Sequence, residues 1–160
     1  MLKNNGFQGD SPGLAAYKVI GDASISHDAS TPLSSAITSS LKVSVPSNAT
    51  GSSGGFANTG YGGVPVLATQ YTSSFWIKGE YSGTVTLRLV GTSSGKIYAS
   101  HDIGVSSVDS HFTYHEASFT SEASPDGDNE WQLVFDGSKV SGKSLNFVLV
   151  QLFPPTYHSR

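Results

Sequence analysis

Thr84-Val85-Thr86-Leu87-Arg88-Leu89 alternates strictly, with valine and two leucines on one side and two threonines and an arginine on the other. A period of two over six residues is the mark of a β-strand with one buried face, because successive side chains in a strand point to opposite sides. Working outward, the same reading covers Tyr71 to Lys78, Lys96 to Ile103, His111 to Phe119, Glu130 to Asp136 and Ser144 to Phe153. Each run is bounded by glycine, serine, aspartate or proline, the residues that punctuate strands. Upstream, Tyr17 to Ile25 and Ser40 to Val45 read as strands, while Thr31-Pro32-Leu33-Ser34-Ser35-Ala36 reads as a loop with at most one helical turn. No long amphipathic helix and no internal repeat are visible. Eight or more short antiparallel strands predict an all-β protein, a β-sandwich of immunoglobulin or jelly-roll type rather than parallel βαβ units.

The chain has 160 residues, a formal net charge of -3 and no cysteine, which fits one domain. A (β/α)₈ barrel needs more chain, and a doubly wound nucleotide fold needs helical crossovers that this glycine- and serine-rich sequence does not offer. Charged residues are only 13%. Serine and threonine supply roughly a quarter of the chain, so its polarity rests on hydroxyls. No lysine and arginine cluster offers the footprint that phosphate backbones require, which argues against nucleic acid as a partner. No run of about 18 apolar residues exists to span a membrane, and Met1-Leu2-Lys3-Asn4-Asn5 does not read as a signal peptide. Without cysteine there is no disulfide, thiolate metal site or cysteine nucleophile. Asn48-Ala49-Thr50 matches the glycosylation acceptor pattern within a loop-like stretch, so Asn48 is a candidate glycan site.

Motifs that suggest catalysis dissolve on inspection. Gly91-Thr92-Ser93-Ser94-Gly95 fits the nucleophile-elbow pattern, but two strands flank it where a strand and a helix are required. Gly51-Ser52-Ser53-Gly54-Gly55 repeats the match by composition alone. His111 and His115 share one side of a strand with His101 nearby, yet spacing of four places the rings about 13 Å apart, too far for one tetrahedral ion. They read as solvent-facing polar residues. Asp126-Gly127-Asp128-Asn129-Glu130 could hold calcium but lacks the loop length of an EF-hand, and reads as a polar turn. No catalytic residue and no metal ligand is therefore assigned.

Aromatic residues are more informative, since a sugar ring has an apolar face that lies flat on an exposed indole or phenol. In Tyr71-Thr72-Ser73-Ser74-Phe75-Trp76-Ile77-Lys78, the core-like face of Tyr71, Phe75 and Ile77 turns Trp76 outward with Ser74 and Lys78. Trp131 alternates with Leu133 and Phe135 and is expected inside. Tyr61 sits among glycines in Asn58-Thr59-Gly60-Tyr61-Gly62-Gly63, which would leave its ring accessible. Candidate carbohydrate-binding residues are thus Trp76, Tyr61, Arg88 and Asn58.

Gly55-Phe56-Ala57-Asn58-Thr59-Gly60-Tyr61-Gly62-Gly63-Val64-Pro65-Val66, Tyr71 to Gly79, and the closing Leu152-Phe153-Pro154-Pro155-Thr156-Tyr157 together resemble the N-terminal domain of fungal α-L-arabinofuranosidases of glycoside hydrolase family 51. The resemblance runs from Leu2 to the last residue. It implies a galactose-binding-like jelly roll, similar to carbohydrate-binding modules of families 4 and 9, over residues 1–153. It also implies a linker over 154–160 leading to a catalytic barrel beyond Arg160, which would carry both catalytic glutamates. The implied partners are that barrel and a plant cell-wall polysaccharide, arabinoxylan or arabinan, and the implied location is extracellular. Related modules often hold a structural calcium through an acidic residue after the N-terminal Gly-Phe and an aspartate in the last strand. Gln8 and Val148 stand at those places here, removing two charged oxygen ligands. The alternative to sugar binding is a domain that braces the barrel.

Overall fold

The computed structural model describes residue 2 and residues 14–48, 53–60 and 62–155. Ten strands run through them: β1 (Tyr17–Gly21), β2 (Ser24–Asp28), β3 (Ser40–Ser44), β4 (Ser53–Asn58), β5 (Gln70–Lys78), β6 (Tyr81–Gly91), β7 (Ile97–Ser107), β8 (Thr113–Thr120), β9 (Asn129–Asp136) and β10 (Ser144–Phe153). One turn of 3₁₀ helix, Gly137–Val140, joins the last two. Two five-stranded sheets form, in the orders β1-β4-β9-β6-β7 and β2-β3-β10-β5-β8. Every pairing between these strands is antiparallel. The expected all-β sandwich is present, with strands interleaved between sheets as a jelly roll requires.

The sequence expectation differs from the structure in two places. Tyr17 to Ile25 is not one strand: Gly21, at φ 71, ends β1 in the first sheet, and the chain crosses to the second sheet as β2. Residues 53–58, the first three of which fall in the stretch read as loop-like, form β4, a central strand between β1 and β9. Glycine is required there rather than merely tolerated. A Cβ on Gly55 would run into the Leu133 carbonyl, and one on Gly54 would press on the Phe135 ring.

The core lies between the sheets. Val85, Leu87 and Leu89 of β6 are fully buried, facing Phe75, Ile77, Leu145 and Phe147 from the other sheet. Phe56 of the first sheet meets Phe147 of the second edge-on, with ring centroids 5.0 Å apart. Trp131 is fully buried, as its alternation predicts. Its Nε1 donates to Ser73 Oγ at 2.9 Å, and that hydroxyl donates to the Gln151 carbonyl at 2.8 Å. A hydrogen-bonded relay therefore links the sheets through an otherwise apolar core. His101 of β7 stacks on Phe119 of β8, closing the sandwich along one side.

Candidate functional site

The exposed side of the second sheet is built from the outward positions of β10, β5 and β8. Trp76 stands opposite Val148 on one side and Tyr114 on the other, and Ser74 stands opposite Gln151 and Glu116. A bulge in β10 between Val148 and Gln151, with Leu149 at φ 50, inserts an extra residue and keeps Gln151 on the outer face. Ser74 Oγ and Gln151 Oε1 are 3.3 Å apart. Trp76, half-buried, packs against the exposed Tyr114 with centroids 5.2 Å apart and planes at 55°. Tyr114 donates to Glu116 Oε2 at 2.7 Å. Its hydrogen bond with Ser74 favours the phenolate, but the bond to Glu116, partial burial and the carboxylate charge together raise the phenol above its ordinary pKa. It stays a neutral donor.

Above Trp76 lies an open groove of about 570 Å³, walled on one side by Pro32, Leu33 and Ser34 and on the other by Ser110, His111 and Phe112. The first wall belongs to the loop between β2 and β3. Asp28 Oδ1 accepts from Ser30 N and Oγ at 2.8 and 2.6 Å, starting the loop. The amides of Leu33 and Ser34 donate back to the Ile37 carbonyl at 3.1 and 3.2 Å, and Ser34 Oγ accepts from the amides of Ala36 and Ile37. Lys78 also lines the groove, its Nζ 5.8 Å from the Phe112 ring centroid. An aromatic pair bordered by hydroxyls, an amide, a carboxylate and a cation can stack on an apolar ring face while bonding to its hydroxyls.

The other sequence candidates do not join this face. Arg88 projects from β6 on the outside of the first sheet, so the thickness of the sandwich separates it from Trp76 and the two cannot share a ligand. Asn58 is fully buried: its Oδ1 accepts from Gly60 N at 2.8 Å and its side chain also hydrogen-bonds Tyr17. It braces the turn after β4 and has no surface to offer a sugar. Tyr61 and Gln8 lie outside the described residues. Val148 is fully buried against Trp76 and supplies no oxygen. Asn48 is exposed in a turn. His115, expected in solvent, points inward from β8 and stacks on Phe75 at 5.5 Å, and this burial lowers its pKa. Among the described residues no three histidines or carboxylates gather to hold a metal ion. The Asp126–Glu130 stretch is a turn running into β9, and its carboxylates are engaged: Asp126 with Asp128 N, Asp128 with Ser93 Oγ, and Glu130 with Lys18.

Tyr114 was not singled out from sequence, although the alternation of His111 to Phe119 already places Phe112, Tyr114 and Glu116 on one face. What was not legible is which strand lies beside β5, and hence that Tyr114 meets Trp76.

No family model matches the chain. It is 48% identical over all 160 residues to a probable α-L-arabinofuranosidase A of Aspergillus flavus and 45% identical to α-L-arabinofuranosidase A of Aspergillus niger. A probable α-L-arabinofuranosidase A of Emericella nidulans is 54% identical over 129 residues, 81% of the chain. The chain spans about a quarter of the length of these curated relatives: 25% of the two Aspergillus proteins and 23% of the third. Among solved structures, the arabinose-bound MgGH51 α-L-arabinofuranosidase superposes with a TM-score of 0.88 at 29% identity, covering 99% of this chain and 27% of that one. The CBM22-1 xylan-binding domain of Paenibacillus barcinonensis Xyn10C superposes at 0.64 with 10% identity, over 94% of this chain and 90% of that one, a likeness of fold. Over its whole length, the chain corresponds to the N-terminal quarter of the fungal α-L-arabinofuranosidases, as a β-sandwich domain that is not the catalytic barrel.

Proposed function

We propose that this domain is the noncatalytic accessory module of a secreted α-L-arabinofuranosidase and holds arabinoxylan or arabinan near a catalytic barrel reached through residues 154–160. The observation that carries the reading is Trp76, which lines an open groove with Lys78 and Phe112 and pairs with the exposed Tyr114 on a face that also bears Ser74, Glu116 and Gln151. The pyranose or furanose face covers the rings, and the margin accepts and donates to its hydroxyls. Polysaccharide lies outside the cell, so the module works there, with exposed Asn48 carrying a glycan away from the groove. Tethering through such a module raises the local concentration of the enzyme on polymer.

Affinity electrophoresis in arabinoxylan and arabinan gels tests the reading. Retardation is expected for the native chain and is lost in Trp76→Ala, where removal of a central aromatic contact weakens binding by about 2 kcal/mol, roughly thirtyfold. Unchanged mobility of the native chain in both gels rejects sugar holding.

A second reading, that the domain braces the barrel, is favoured by one observation. Leu67, Ile97 and Phe153 are 61%, 50% and 48% exposed. All three lie at the end of the sandwich where β5 and β7 begin and β10 ends, the end from which the chain leaves through Pro154 and Pro155.

A further inference from the structure

Arg88 sits half-buried on the outer face of the first sheet, and its Nε is buried with no hydrogen-bond partner. The ion pairs found among the described residues join Lys18 to Glu130 and Lys143 to Glu80, and neither involves Arg88. A buried donor left unsatisfied costs about 1–3 kcal/mol, more when the group is charged, so an acceptor brought in by a ligand would relieve that cost.

Arg88 lines a hollow of about 280 Å³ together with Ser53, Thr84, Thr86, Val134, Phe135 and Asp136. Gly55 lies opposite Val134 and Gly104 opposite Thr84, so the hollow opens toward its flanks over positions without side chains. Thr86 donates to Asp102 at 2.7 Å, and Asp136 Oδ1 accepts from Ser138 N and Oγ at 3.0 and 2.6 Å. The lining thus holds one cation, one carboxylate and three hydroxyls, with Asp102 bonded to Thr86 beside it and Lys139 near Asp136. A free anion would meet those carboxylates as well as the arginine, whereas a neutral ring with adjacent hydroxyls can accept from the guanidinium fork and donate to the carboxylates. The volume falls just below the range of about 300–1,000 Å³ usual for small-molecule sites, which suits one ring and not a chain.

We propose that this hollow is a second carbohydrate site, separated from the Trp76 groove by the thickness of the sandwich and suited to a single neutral sugar residue such as a pentose. It stands independently of the reading of the Trp76 groove.

Titration of the ¹⁵N-labelled chain with L-arabinose, xylose and glucuronate, read by amide shifts, tests it. Saturable shifts are expected at Thr84, Thr86, Arg88 and Asp136 with the two pentoses. Arg88→Met keeps the aliphatic stem, and should weaken that response by about tenfold or more while leaving the amides of β5 and β8 behaving as in the native chain. Thr86→Val, which preserves shape, should weaken it too and guards against a variant that fails to fold. Absence of shifts on β6 and β9, a response stronger to glucuronate than to the pentoses, or undiminished affinity in Arg88→Met would each overturn the proposal. Shifts confined to β5 and β8 would overturn it while leaving the Trp76 reading intact.

Discussion

Ser73 shows how one hydroxyl in a strand's inward row can matter more than its size suggests. It is fully buried, accepts from the Trp131 indole and donates to the Gln151 carbonyl. Ser73→Ala removes both bonds and leaves the Trp131 indole N–H without this acceptor in an apolar interior, so it should cost about 1–3 kcal/mol, seen as a lower urea midpoint with an unchanged slope. A midpoint equal to that of the native chain would mean that the relay contributes nothing. His115 makes a comparable point with charge. Its inward position against Phe75, with Thr113 Oγ1 3.0 Å from its Nε2, lowers its folded pKa below the ordinary value of about 6.5. Between those two values the unfolded chain binds more protons, so stability rises with pH. Loss should set in as pH falls past about 6.5 and be complete below the folded pKa. Denaturation midpoints measured from pH 7.5 to 5.5 should fall more steeply for the native chain than for His115→Gln, and parallel curves would refute the assignment. Alternation alone placed both rows correctly at Trp76 and Trp131, yet gave no sign that His115 would face Phe75. That outcome depends on the register of β8 against β5, which sets His115 opposite Phe75.

At the scale of elements, β4 is the strand that sequence reading loses. Its Ser-Gly-Gly opening carries no β propensity and looks like a flexible connection, because propensity records how side chains pack on a pleated surface and glycine has none. Tertiary crowding supplies the missing reason: β4 passes so close to β9 that only a residue without Cβ fits at position 55. Gly55→Ala should therefore destabilise by well over the ~1 kcal/mol of an ordinary glycine substitution. Gly104→Ala, where a Cβ meets nothing within 4 Å and φ is not positive, is the matched control and should be neutral or slightly stabilising. Thermal melts of the two variants decide it, and equal melting temperatures would show that β4 can shift away from β9. The long strands β5, β6, β9 and β10 were legible because each carries four or more alternating positions, enough to separate a period of two from 3.6. The break at Gly21 was not, since Tyr17 to Ile25 alternates tolerably on both sides of it.

Taken as a whole molecule, the sandwich has two broad faces and two ends, and the apolar surface is unevenly placed among them. The Trp76 face combines aromatic rings with hydrogen-bonding margins, whereas the end bearing Leu67, Ile97 and Phe153 presents aliphatic and aromatic groups close to the chain exit at Pro154. The outward turn of Trp76 is legible in its strand, but the apolar end is not, because Leu67 precedes β5, Ile97 opens β7 and Phe153 closes β10, and only the fold brings them to one end. Exposed apolar groups gathered at one end of a domain are a candidate contact surface. The relatives are about four times as long as this chain, and on the bracing reading the region that follows it in them covers this end. If it does, replacing Leu67 and Ile97 by lysine and Phe153 by serine should have opposite effects in two proteins. In the 160-residue chain the triple variant should raise solubility and leave the unfolding free energy within about 0.5 kcal/mol of native, as expected for surface changes. In the longer protein that includes the following region, the same changes place charge in a buried interface, and the melting temperature of the sandwich should drop by several degrees. Equal stability of native and variant in the longer protein would show that the end stays open to solvent, leaving the groove over Trp76 as the domain's working surface.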